Sequence, residues 1–81
     1  MSMCVLCVLN RIKEDQEKII KDLANEIRVL QRLESDYKEN GEVEELHIAR
    51  ETEYKLLCKL NEKLDNLKSI QERIELEKAS V

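Results

Sequence analysis

Gly41 is the one glycine of an 81-residue chain that contains no proline, and it lies at the midpoint. On either side of it, large aliphatic residues recur at alternating spacings of four and three. Val5, Leu9, Ile12, Ile19, Leu23, Leu30, Leu33 and Tyr37 share one such spacing, with Gln16 and Glu26 as polar interruptions and Ile27 beside Glu26. Leu46, Leu57, Leu60, Leu64, Leu67, Ile74 and Val81 share a second, displaced from the first by one residue. Four-and-three spacing is the heptad pattern of a helix that buries one narrow stripe against another helix. The expected fold is therefore all-α. With no Phe or Trp and only two Tyr, the chain lacks the aromatic strands and Gly- or Pro-rich turns that a sheet protein needs.

The phase changes within Lys38-Glu39-Asn40-Gly41-Glu42. Glycine enters the left-handed conformation that closes a helix without a Cβ penalty, and Lys38 suits the negative end of the helix dipole. Glu44 and Glu45 suit the positive end of a following helix. The reading is a single helical-hairpin domain over 1–81, with helix 1 at about 3–39, a turn at about 40–42 centred on Asn40 and Gly41, and helix 2 at about 43–79.

Folding two nearly equal helices back on one another sets Tyr37 beside Val43 and Leu46, Leu23 beside Leu57, Ile20 beside Leu60, and Ile12 near Leu67 and Ile70. The expected hairpin core is Ile12, Ile19, Leu23, Ile27, Leu30, Leu33, Tyr37, Leu46, Leu57, Leu60, Leu64, Leu67 and Ile74. The same register predicts opposite charges across the seam at Glu26 and Lys55, Arg28 and Glu53, Asp22 and Lys59, and Lys18 and Glu62. Within the helices, Glu14-Lys18, Glu17-Lys21, Glu34-Lys38 and Glu51-Lys55 stand at the favourable i,i+4 spacing. Gln16 reads as a register-setting polar residue. Arg50-Glu51-Thr52-Glu53 interrupts the second stripe, as a solvated segment or as a polar element that selects register.

A second set of aliphatics lies off or beside the stripe: Leu6, Ile20, Val29, Ile48, Leu56 and Leu76. Two helices alone have one thin seam, and a core this small supplies little stability. These six residues are therefore expected to meet protein, either a second copy in a four-helix bundle or a helical segment of another protein.

Charge narrows the partners. Fourteen basic and eighteen acidic residues give a net charge of −4, with the signs interspersed. No clustered basic face or aromatic platform is available for nucleic acid. No stretch reaches the ~20 apolar residues of a membrane span, and the N-terminal apolar run has no basic residues before it, so a secretory signal reads poorly. Three cysteines, an odd number, build no disulfide framework, which suits a reducing, cytoplasmic location.

Cys4 and Cys7 form a Cys-x-x-Cys pair. The readings open to it are packing of two small apolar thiols, acylation that would tether the chain to a membrane, a shared metal site between two chains, or redox exchange. A closed zinc site takes four ligands, while Cys58 and His47 are remote from Cys4 in a hairpin. Metal is thus expected only as an intermolecular site at Cys4 and Cys7, and no cofactor is expected. His47 reads as a helix histidine with no nucleophile beside it, and Lys55, Lys59 and Lys63 as a flanking stripe that selects pairing. With no catalytic residues and no small-molecule substrate in view, the sequence reads as a non-enzymatic coiled-coil scaffold or adaptor, most simply a homodimer. The alternative is an adaptor tethered to a membrane through Cys4 and Cys7.

Overall fold

The computed structural model describes residues 4–80, and within them the chain forms two helices, α1 over Val5–Asn40 and α2 over Val43–Ala79. Met3 and Val81, which the sequence expectations include, and the Met1-Ser2 dipeptide fall outside these residues. The helices are 36 and 37 residues long and fold back on one another into a hairpin 60 Å long. At 1.5 Å per residue a 36-residue helix covers about 54 Å, so each helix runs nearly the full length.

The turn is closed by glycine chemistry. Gly41 takes φ 72° and ψ 21°; its N–H donates to the carbonyl of Lys38 at 3.3 Å, while the N–H of Glu42 donates to that of Tyr37 at 2.9 Å. These two bonds satisfy carbonyls that the end of a helix otherwise orphans, the arrangement known as the Schellman motif. Two residues later α2 begins, with Glu44 and Glu45 in its first turn where the helix dipole favours negative charge.

Buried and half-buried positions define the seam. In α1 they fall at Leu6, Leu9, Lys13, Gln16, Ile20, Leu23, Ile27, Leu30, Glu34 and Tyr37, with Ala24 beside them. In α2 they fall at Leu46, Ala49, Glu53, Leu56, Leu60, Lys63, Leu67, Ile70, Ile74 and Glu77. Both sets keep an unbroken alternation of three and four, the signature of helices meshed as a coiled coil. Stepping away from the turn, this alternation brings Tyr37 level with Leu46, Leu30 with Glu53, Leu23 with Leu60, and Leu9 with Ile74.

Half of each expected stripe is displaced by one residue. Ile12, Ile19 and Leu33 of α1 and Leu57 and Leu64 of α2 stand exposed on the margin of the seam. Leu6, Ile20 and Leu56, expected outside it, are half-buried within it. The physical reason lies at the centre of α1. Strict continuation of the expected stripe would bury Glu26 between Leu23 and Leu30; Ile27, expected in the core beside it, is the residue buried there, and the rest of its column follows. Among the seam's own charged members, Lys13, Lys63 and Glu77 have side chains long enough to lay their stems along the seam and carry their heads outward, whereas Glu34 keeps Oε1 buried.

The four expected cross-seam ion pairs do not form within 4.0 Å, and neither do Glu14-Lys18, Glu17-Lys21 or Glu34-Lys38. Among the described residues the one ion pair is Lys55–Glu51, at 3.8 Å and well exposed. Exposed pairs contribute only ~0–1 kcal/mol and give little reason to hold long side chains in place.

Candidate protein-interaction face

Among the described residues only Leu23, Ile27, Ala49 and Ile74 are buried, each keeping 4–8% of its surface, whereas twelve large apolar residues are exposed. The accessible surface of 6,615 Å² compares with about 5,100 Å² for a compact monomer of this mass, from the surface-to-mass scaling of folded proteins. The radius of gyration, 18.3 Å, likewise exceeds the ~12 Å of a compact domain of this length. A hairpin of this shape leaves unpaired apolar surface because each helix has one neighbour and a stripe wide enough for two.

The exposed aliphatics fall unevenly. Near the turn, Leu33 of α1 lines a shallow depression together with Glu45, Ile48 and Thr52 of α2, floored by Leu30, Tyr37 and Ala49. Leu33 and Ile48 therefore belong to one face of the hairpin. On α1, positions 5, 8, 12, 15, 19, 22, 26, 29 and 33 continue that face at three-and-four spacing. They read Val, Val, Ile, Asp, Ile, Asp, Glu, Val, Leu. On α2 the same face carries Ile48, Lys55, Lys59, Glu62, Arg73 and Leu76, by the same helical spacing. Val29, Ile48 and Leu76 are 57, 62 and 70% exposed. Eight of the twelve exposed aliphatic or aromatic residues lie here. The remaining four, Val43, Tyr54, Leu57 and Leu64, lie on the opposite side of α2. Ile48 also borders a second open depression at the turn with Val43, Glu44 and His47.

Of the six residues expected to meet protein, the structure thus places Val29, Ile48 and Leu76 on one exposed face and Leu6, Ile20 and Leu56 in the seam. Val8 belongs to the face too, and its spacing from Val5 and Ile12 is the signal in the sequence that carries it. No family model, curated protein or solved structure matches the chain.

At the open end, Cys4 caps α1 in an extended conformation and is exposed, as are Cys7 and Cys58. The backbone N–H groups of Cys7 and Leu6, aided by the Cys7 side chain, hold the Cys4 thiol below its ordinary pKa. They make no side-chain capping hydrogen bond in the resting structure, but the orphan amides of a helix N-terminus favour a thiolate. Cys7 is pushed up, first by its side-chain hydrogen bond with Cys4 and then by the Cys4 charge. Among the described residues no group of three or more His, Cys, Asp and Glu is placed to hold a metal ion. No helix among them is long and apolar enough to cross a membrane.

Proposed function

We propose that the protein is a non-enzymatic coiled-coil scaffold or adaptor that works by helix-to-helix packing, and that its basal state is a homodimer in which two hairpins form a four-helix bundle. The carrying observation is the concentration of Val5, Val8, Ile12, Ile19, Val29, Leu33, Ile48 and Leu76 on one face of a hairpin that, among the described residues, buries only four. Apolar surface of this extent on an all-helical scaffold is the usual means by which helices recruit helices. The face is about 60 by 19 Å, roughly 1,100 Å² in plan, so covering most of it meets the ~800 Å² per partner of a standard interface. Flanking charges would then select among partners, since unpaired charge against a wrong surface costs more than a right pairing gains.

Sedimentation equilibrium on reduced protein tests this reading. A mass twice the 9.6 kDa of the chain is expected at micromolar concentration, and a monomer at all concentrations would overturn self-association.

A second reading, an adaptor tethered to a membrane, draws support from the exposed Cys4 and Cys7 next to Val8 and Ile12, which with Cys7 line an open depression at the free end of α1. Acylation of one or both thiols would extend this apolar patch into a bilayer. Acyl-biotin exchange on protein from its native cell is expected to label these cysteines under this reading, and no modification at either would exclude it.

A further inference from the structure

The open end of the hairpin holds two thiols within one helical turn. Cys4 is the N-cap of α1, at φ −64° and ψ 127°, and its carbonyl accepts the first helical hydrogen bond, from the N–H of Val8 at 3.2 Å. Cys7 is the third residue of the helix, and side chains at the N-cap and third positions turn towards one another, as in a capping box. Their Cα atoms lie about 5 Å apart by the radius and rise of a helix, inside the roughly 4.4–6.8 Å that a disulfide bridges. Each thiol perturbs the other, the Cys4 charge pushing Cys7 up while Cys7 helps to hold Cys4 down. Both are exposed, and Cys7 opens onto a depression lined by Val8, Arg11, Ile12 and Asp15, so a small disulfide can reach the pair. Cys58, the third cysteine, stands level with Asn25 of α1, about 30 Å along the hairpin from Cys4 at the helical rise. Within one chain, Cys4 and Cys7 therefore have only each other.

We propose that Cys4 and Cys7 are a redox-modification site that closes a reversible disulfide within the first turn of α1 when met by a small-molecule disulfide of the glutathione class. The Cys4 thiolate attacks one sulfur of the oxidant, breaks its S–S bond and releases one glutathione thiolate, leaving a mixed disulfide on Cys4. Cys7 loses its proton to water and attacks the Cys4 sulfur, releasing the second glutathione thiolate. Cys4 and Cys7 together lose two protons and two electrons, and the oxidant becomes two glutathione thiols. Cys4 goes first because the amides of a helix N-terminus favour its thiolate. The same stabilisation favours the reduced pair, so excess glutathione reopens the bond. A closed disulfide has no thiol left to acylate, so oxidation and a membrane tether through these cysteines exclude one another.

The bond lies within one chain and does not depend on self-association. In the test, the full chain is equilibrated in glutathione buffers of graded oxidised-to-reduced ratio, quenched by alkylation, cleaved with trypsin and weighed by mass spectrometry. Cys4 and Cys7 leave on one peptide ending at Arg11, and Cys58 on another between Lys55 and Lys59. Two thiols on one turn see each other at an effective concentration on the order of 1 mM or more. At about 0.1 mM total glutathione, the internal disulfide should therefore form at a ratio about tenfold or more below the one at which Cys58 takes up glutathione. The expected peptide is lighter than the reduced one by two hydrogens and carries neither alkyl group nor glutathione.

Cys7→Ser removes the thiol of the second step, so Cys4 should retain its glutathione. Cys4→Ser should leave Cys7 taking up glutathione more slowly than Cys4 does in Cys7→Ser, and equal rates in the two variants overturn the order of attack. An equal mixture of isotope-labelled and unlabelled chains shows which chain supplies each sulfur, and bonds within one peptide of one chain are expected. A parent peptide carrying two glutathiones, a bond joining labelled to unlabelled chains, or oxidation only at the ratio that modifies Cys58 overturns the proposal.

Discussion

The carboxylates of Glu34 in α1 and Glu53 in α2 face one another across the seam near the turn, and neither Glu34 Oε1 nor Glu53 Oε2 has a hydrogen-bond partner. Partial burial pushes the Glu34 carboxyl above its ordinary value, and the charge of Glu53 pushes it further, with Arg50 opposing. Protonating one of the pair supplies the donor that both lack.

The pH dependence follows from the direction of that shift. A carboxyl whose pKa is raised on folding contributes stability at pH below its ordinary value, about 4.5, and that contribution is lost as pH rises through the elevated one. Glu34→Gln removes the repulsion and keeps a hydrogen-bonding group. Thermal melts should show the variant about 2–4 °C more stable at pH 7, from a gain of ~0.5 kcal/mol like that of relieving a like-charged helix pair. The gain should shrink as pH falls towards 4.5. An equal or lower melting temperature at pH 7 would remove the repulsion from the account.

Seam phase is testable by pairing a buried isoleucine with a marginal one. Ile27 and Ile74 are 6 and 4% exposed, whereas Ile12 is 40% exposed. Ile27→Ala and Ile74→Ala should each cost ~2–3 kcal/mol in urea unfolding, towards the lower end for buried large-to-small substitutions because the seam is thin. Ile12→Ala should cost under ~1 kcal/mol in a protein held monomeric by Val29→Glu with Ile48→Glu. Similar losses at Ile12 and Ile27 would place the seam one residue earlier.

Gly41 holds its positive φ with open space where a Cβ would project. The cost of Gly41→Ala is therefore conformational, ~1 kcal/mol or slightly more, and falls on a residue forced into the left-handed region. Gly41→Asn, better tolerated there, should lose less. Chemical denaturation of the two variants should rank them Gly, Asn, Ala in decreasing stability, and an alanine variant as stable as the parent would contradict the turn geometry.

Thiol reactivity should follow the helix N-terminus. Alkylation by iodoacetamide, followed by peptide mass spectrometry across pH, should modify Cys4 at lower pH than Cys7, because the amides of Cys7 and Leu6 favour the Cys4 thiolate. Cys7→Ser retains the backbone N–H, so Cys4 should remain the early-reacting thiol. Equal pH profiles for the two cysteines would exclude this effect.

The hairpin was legible in the sequence because its signals are local and redundant. One glycine, a change of stripe phase and paired charges at the two helix ends converge on 40–42. The column Leu9, Gln16, Leu23, Leu30 and Tyr37 and its counterpart Leu46, Leu60, Leu67 and Ile74 were likewise legible, and both are half-buried or buried in the hairpin, whereas Glu53, read as part of a polar interruption, takes a seam position between Leu46 and Leu60. The second column of each helix was not. Val5, Ile12, Ile19 and Leu33 are as apolar as Leu6 and Ile20, so composition cannot say which side of the first column faces the partner helix; of the observed second column of α1, Ile27 alone was expected in the core. That choice is made between the two helices, where Ile27 in place of Glu26 decides it. Ala49, small and weakly hydrophobic, gave no periodic signal and is nevertheless buried. The Glu34–Glu53 contact depends on register and was equally hidden.

Small-angle X-ray scattering on the reduced protein, with mass from forward scattering, tests most directly whether a hairpin with one exposed apolar face assembles through it. A maximum dimension of about 60–70 Å, set by the helical rise, with twice the 9.6 kDa chain mass is the predicted result. A particle of about 115 Å, the length of a single unbroken 77-residue helix, or a 60 Å particle of single-chain mass at every concentration would contradict it.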